Sequence, residues 1–231
     1  MAAQKIETPD FGKIENRCAL RHNGPAVSGD RTLVTFAAFV RHGETHWNTQ
    51  GRIQGHADIP LSDTARAELG AFTLPAALRN CRWHVSPLSR AVETARLLGP
   101  GAFRLEPRLM EMHWGQWEGE TLAGLRAANP RDMEINEAQG LHFRPPGGET
   151  PAEVQERLKT WFRDIADPGR PVVAVTHKGV IRTVLAMAYD WDMRGKAPVK
   201  LDWQAAHLFD VDANGTVIPV ALNMPFEPRR G

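Results

Sequence analysis

The sequence predicts an α/β fold with a mainly parallel central sheet covered by helices on both faces. Three observations carry that prediction. Strand-length apolar runs, polar turns and helix-period segments alternate from Thr32 onward. The runs that end at Arg41 and just before His177 are apolar on both faces, as a buried parallel strand must be. The last stretch, AHLFDVDANGTVIPVAL, reads as two strands joined at Asn214-Gly215, a hairpin that adds antiparallel pairing at one edge.

The elements follow in order. Residues 1–31 show no sustained period and include the turn-rich HNGPAVSGD, so they are expected to form an extension or arm. TLVTFAAFV is the first strand and stops at Arg41. A polar loop runs to Pro60, and a helix opens near Ser62 with Ala65, Leu69 and Phe72 at helical spacing. Pro75 is expected to end or kink it. CRWHV makes a second strand, LSRAVETARLL the helix after it, with Pro87 suited to its first turn. AFRLE is a candidate third strand. In TPAE, Thr150 caps a helix, Pro151 takes the first helical position and Glu153 completes a capping box. Val154, Leu158, Trp161, Phe162 and Ile165 then form one apolar face. RPVVAVTHKG holds the next strand and VIRTVLAMAYD the next helix.

At 231 residues the chain suits one α/β domain, and a chain of this size buries about 70% of the surface it exposes when unfolded. The formal charge of +1 supplies no global field for nucleic acid or for a membrane surface. Cys18 and Cys81 have neither zinc spacing nor the density of a disulfide scaffold, so a reduced, cytoplasmic compartment is expected. The polar, acidic N-terminal stretch lacks the apolar core of a signal peptide. No run approaches the ~18 apolar residues of a membrane span.

Ligands of an open α/β sheet bind beyond the carboxyl ends of its strands. Those ends carry Arg41-His42-Gly43, then Ser86 with Arg90 one helical turn on, then His177. If the strands are neighbours, two histidines and two arginines meet in one crevice. Arginine forks match phosphate oxygens and helix N-termini add aligned N–H donors, so the crevice reads as a phosphate site containing two imidazoles. A metal site on His42 and His46 is disfavoured, because Gly43 argues against the helix that would align them and Arg41 would repel a divalent cation. Neither metal nor cofactor is expected.

The segments VRHGETHWN with GRIQGHADIPLS, SPLSRAVETA, RLMEMHWGQWEG, PPGGET and VVAVTHKGVIR, in that order, resemble the histidine phosphatase superfamily, the broad phosphoglycerate mutase-like group. The resemblance covers about Thr32 to Arg182. It implies a three-layer α/β/α sandwich over 32–231, with a small cap inserted over about 112–149. It also implies that His42 is the nucleophile, attacking phosphorus to form a phosphohistidine. Arg41 and Arg90 would bind phosphate oxygens and keep His42 unprotonated, while His177 would donate to the phosphoryl group. Asn48 and Gln54 match phosphate-contacting positions. Glu111 matches the general acid/base that protonates the leaving oxygen and then activates water, with Glu118 its rival.

The chain departs from the pattern at Lys178, where the family commonly has glycine, and at Ala65. Lys178 could meet a second anionic group of the substrate or point into solvent. His46, His56, His84, His113 and His142 read as structural or surface residues. The expected activity is hydrolysis of a small-molecule phosphomonoester, since PGGET resembles the phosphatase branch. Phosphoglycerate mutase-type transfer and non-catalytic binding of phosphorylated ligands are the alternatives.

Overall fold

The computed structural model describes residues 34–99, 101–166, 170–212 and 214–229. The arm expected over 1–31 lies outside them, as does the start of the first strand. The main sheet has six strands in the order β4-β3-β5-β1-β6-β7. These are β1 Val34–Arg41, β3 Arg82–Val85, β4 Arg104–Leu105, β5 Val172–Thr176, β6 Ala205–Asp212 and β7 Val217–Pro225. Pairing is parallel from β4 through β3 and β5 to β1, and antiparallel from β1 through β6 to β7. A separate two-stranded ribbon joins β2 (Phe72–Thr73) to β8 (Glu227–Pro228).

Strand periodicity sorts the core into two layers of packing. Ala37, Phe39, Val172 and Ala174 face α6 (Pro151–Ile165) and α7 (Lys178–Tyr189); Ala38, Val40, Val173 and Val175 face α3 (Ser89–Leu98) and the segment around Leu74 and Leu78. Residues one apart on a strand point to opposite faces, so alternation inside a wholly apolar run serves both layers. Phe39 meets Trp161 and Phe209 edge-on at 5.9 and 5.8 Å between ring centroids, contacts worth about 0.5–1.5 kcal/mol each beyond area burial.

Helix α6 starts as its sequence requires. Thr150 Oγ1 accepts from Glu153 N–H at 3.1 Å and Glu153 Oε2 accepts from Thr150 N–H at 2.8 Å, with Pro151 at the first helical position. Such a cap stabilises a helix by about 1 kcal/mol. The β6–β7 hairpin turns at Gly215, whose φ of +85° suits glycine, and Asp212 Oδ1 accepts from the N–H groups of Asn214 and Thr216.

Three local expectations need correction. The helix capped by Ser62, α2 (Asp63–Gly70), ends at Gly70, well before Pro75; Phe72 belongs to β2, drawn there by pairing with Pro228. Pro87 precedes α3 and its N-cap, Leu88, because the chain first turns over Ser86, whose Oγ accepts from Leu88 N–H at 3.4 Å. The polar loop after Gly43 contains a short helix, α1 (His46–Thr49). Between residues 112 and 149 lie α4 (Leu122–Ala128) and α5 (Pro130–Glu137).

His84 links sheet to helix, since its Nδ1 accepts from the Trp161 indole N–H at 3.0 Å. Burial first, then Arg82 and Arg104, pull its pKa from an ordinary 6.5 to about 4. The unfolded chain binds this proton at higher pH than the folded chain does. The stabilisation is therefore complete above pH 6.5 and is lost as pH falls towards about 4. Tm is expected to drop by several degrees on going from pH 7 to pH 4.5. The His84→Asn chain, which keeps an acceptor but does not titrate, is expected to decline less steeply in the same calorimetric series; equal slopes would contradict the assignment.

Candidate active site

The carboxyl ends of β1, β3 and β5 lie in register, with Arg41 paired to Thr176 and Val85 to Val175. Hydrogen bonds continue the ladder past the strand ends: His42 N–H donates to Thr176 O at 2.9 Å and Ser86 N–H to Val175 O at 3.0 Å. Sheet pairing thus delivers His42, Ser86 and His177 to one place, and the imidazoles of His42 and His177 lie 5.1 Å apart between centroids.

His42 is buried and its Nδ1 lies 2.6 Å from Gly43 O. A carbonyl oxygen only accepts, so Nδ1 carries the proton and Nε2 keeps its lone pair. Gly43 is itself anchored, its N–H donating to Thr94 Oγ1 at 2.9 Å. The His42 pKa is pushed well below the usual histidine value, by burial first and then by Arg41 and Arg90. Desolvation, more than the arginines, keeps this imidazole neutral. His177 is fully buried at the N-cap of α7, with Nε2 2.7 Å from Ser86 Oγ, and its pKa is depressed in the same way by burial and then by Arg90.

Arg90 is fully buried, which is rare for arginine. Its two terminal nitrogens donate to Ala57 O at 2.9 Å and Gly55 O at 2.8 Å. That loop is in turn held by Glu118, whose Oε1 accepts from His56 N–H at 2.8 Å and Oε2 from Ala57 N–H at 2.6 Å. Glu118 therefore orients the loop that orients Arg90. Gly55 is required at this contact, because a Cβ there would stand 2.1 Å from Glu118 Oε1.

Glu44 and Glu137 also line the cleft, but Glu111 is its buried carboxylate. Oε1 accepts from Met112 N–H at 2.8 Å and Oε2 from Gly179 N–H at 3.0 Å. Burial pushes its pKa up, against the pull of those two donors and of Arg90. Its backbone is fixed too: the Glu111 carbonyl accepts from Arg157, 3.3 Å away, and lies 3.0 Å from His56 Nε2. Arg157 is held by Glu149, the acid of the PGGET segment, at 2.8 Å. Gly179 leaves room for the Glu111 carboxylate, which would come within 2.3 Å of an added Cβ.

Among the described residues seven buried side-chain nitrogens or oxygens have no protein partner, and five belong to Arg41, Gln54, Arg90 and His177. Buried polar atoms are nearly always paired, so their concentration here marks a place built for a polar ligand. Asn48 spends its amide oxygen on Thr45 N–H at 3.0 Å, which leaves its amide N–H groups available. Arg41, His42, Asn48, Gln54, Glu111 and Lys178 all line one cleft of ≈ 790 Å³, which Leu122 and Phe143 also line. A cavity of ≈ 850 Å³ beside β2 and β8 is larger, but its lining includes neither histidine nor cysteine. Among the described residues no three histidine, cysteine or acidic side chains are grouped to hold a metal ion.

The family model of the histidine phosphatase superfamily (branch 1) matches residues 37–222. The chain belongs to that superfamily. Phosphoglycerate mutase-like protein 4 of Arabidopsis thaliana is 31% identical over 182 residues, 75% of this chain and 79% of its own. Glucosyl-3-phosphoglycerate phosphatase of Mycolicibacterium vanbaalenii is 32% identical over 160 residues, 64% of this chain and 71% of its own. The structure of Bacillus stearothermophilus YhfR superposes with a TM-score of 0.69 at 29% identity, covering 82% of this chain and 97% of its own.

In this histidine phosphatase superfamily member Arg41, His42, Asn48, Gln54, Glu111 and Lys178 line the cleft, whereas Arg90 and His177 are fully buried and not part of its lining, His177 lying beside His42. What sequence reading missed is the support: Ser86 against His177, Thr94 against Gly43, Glu118 behind Arg90, and Gly179 and Arg157 around Glu111. Trp203 was also missed; its ring stacks under Arg41 at 5.8 Å and Lys178 at 5.5 Å. The buried Arg90, conspicuous as a basic residue on an apolar helix face, was the one clue that a carbonyl-rich loop must lie opposite.

Proposed function

We propose that the protein is a metal-independent phosphomonoesterase that hydrolyses a small phosphorylated metabolite through a phosphohistidine on His42. The observation that carries this reading is the His42 tautomer, with Nδ1 spent on Gly43 O so that Nε2 is the free, unprotonated nitrogen. Nε2 attacks phosphorus in line, the P–O bond to the leaving group breaks, and Glu111 gives that oxygen its proton. Glu111 then takes a proton from water as water attacks the phosphohistidine, releasing inorganic phosphate and restoring His42. Arg41, Arg90, Gln54, Asn48 and His177 hold the phosphoryl oxygens and stabilise their charge. The two arginines beside His42 supply the positive charge that a metal ion would otherwise bring, and would repel one.

Residues of about 112–149 form the cap, supported by the way α4, α5 and Phe143 flank the cleft, and the catalytic domain begins near Thr32. Among the described residues no helix is long and apolar enough to cross a membrane. We place the activity in the cytoplasm because the two cysteines do not form a disulfide framework by spacing. Relatives named as phosphatases and as mutase-like proteins leave the same chemistry open to two acceptors, water or a second substrate hydroxyl.

The test is to mix the chain with radiolabelled phosphomonoester and excess EDTA and to quench within the first turnover. A label on the protein that survives alkali and is lost in acid, as a phosphoramidate is, should appear and then decay to inorganic phosphate. No protein-bound label would overturn the reading. Isomerisation of 3-phosphoglycerate that outpaces phosphate release would replace hydrolase by mutase.

A further inference from the structure

Helix α7 opens with two cations that the stability of the fold does not explain. Lys178 occupies its first position, where the aligned N–H groups disfavour positive charge. Arg182 lies four residues on, at a spacing where like charges repel. Both line the catalytic cleft with Arg41. Other cations there are satisfied: Arg126 pairs with Glu137 at 2.7 Å, and Arg52 donates to Gly119 O at 3.0 Å. Among the described residues neither Lys178 nor Arg182 forms an ion pair or a side-chain hydrogen bond. Burial alone depresses the Arg182 pKa. Lys178 is depressed by burial and then by Arg41 and Arg182, against Glu111 only.

Aromatic rings hold these cations instead. Lys178 Nζ lies 5.5 Å from the centre of the Trp203 ring, and the Arg182 guanidinium 5.2 Å from that of Trp191. Trp191 is itself fixed, its indole N–H donating to Arg194 O at 2.9 Å. An indole face attracts a cation without occupying its N–H donors. The outcome is two positioned cations with free donors, beside a helix N-terminus, at the mouth of the phosphate crevice. We propose that the substrate carries a second anionic group, a carboxylate or a second phosphate, which Lys178 and Arg182 bind. This rests on the phosphatase reading for the position of the first phosphate. The helix rises about 6 Å between the two residues, and both line the same cleft as Arg41 and His42, so one small ligand can present an acidic group to each place.

The experiment compares three ligands of similar size: glycerol 3-phosphate, 3-phosphoglycerate and propane-1,3-diol bisphosphate. Binding is measured by calorimetry on the His42→Ala chain, where turnover does not intervene, and kcat/KM on the intact chain. At least one doubly acidic ligand is expected to bind tenfold or more tightly than glycerol 3-phosphate, and which of them does identifies the second group as carboxylate or phosphate. Adding Arg182→Gln or Lys178→Gln should shrink that gap at least threefold, and Arg182→Lys should restore part of it. In turnover the loss should appear in KM more than in kcat. Equal affinity for all three ligands on the folded protein would overturn the proposal, whatever the turnover. A preserved affinity gap without any hydrolysis by the intact chain would instead overturn the phosphatase reading and leave the second-anion subsite standing.

Discussion

Replacing His42 with asparagine is expected to lower phosphate release from p-nitrophenyl phosphate by roughly ten-thousand-fold or more, the scale on which removal of a catalytic nucleophile acts. The physical reason is the pairing of two features. Nδ1 is committed to Gly43 O, so only Nε2 can react, and burial keeps that nitrogen neutral well below the usual histidine range. Asparagine offers no comparable nucleophile at either atom. The variant should still melt cooperatively, because the strand pairing around it is backbone to backbone. Because the folded pKa is depressed, protonation begins only at lower pH, and the intact chain should keep its kcat/KM as pH falls through 6.5. A variant that retained a tenth of the activity would mean that another group attacks phosphorus.

Glu111→Gln should separate substrates by leaving group. An alkoxide needs a proton as it departs, so hydrolysis of an alkyl phosphate is expected to fall about 100- to 10,000-fold, the range for loss of a general acid. Nitrophenolate leaves without that help, so p-nitrophenyl phosphate should lose much less in the step that forms the phosphoenzyme. Burial pushes the Glu111 pKa up, which extends its protonated, acid-competent form to higher pH. The alkaline limb of kcat/KM for alkyl phosphates should therefore lie above the ordinary carboxylate range and vanish in the variant. Glutamine also meets two N–H donors, from Met112 and Gly179, with only one acceptor oxygen, so Glu111→Ala serves as a second variant free of that conflict. Equal losses on both substrates in both variants would remove Glu111 from the proton transfer.

The sequence displayed the strands of the site well because their composition is constrained from both faces. Residues such as Val173 and Ala174 pack into opposite layers, so the run has no polar position before Thr176, the last residue ahead of His177. The capping box at Thr150 and the Asn214-Gly215 turn are local chemistry, complete within a few residues, and were equally legible. Glu118 was not, since its role depends on accepting from His56 and Ala57 across a long loop. The indole supports of Lys178 and Arg182 were hidden for the same reason. Helices α4 and α5 did leave a local mark: Asn129 closes α4 and precedes Pro130 at the first position of α5.

The insertion of β5 between β3 and β1 has a kinetic consequence. Arg41 and Thr176 are neighbours in space but lie more than half the chain apart in sequence, so the loop joining them closes against a large entropic cost. A nascent or refolding chain can form its hairpin and helices early and still hold His42 apart from His177. Enzymatic activity should thus return last during refolding, after far-ultraviolet ellipticity, and its recovery times the docking of the central strand.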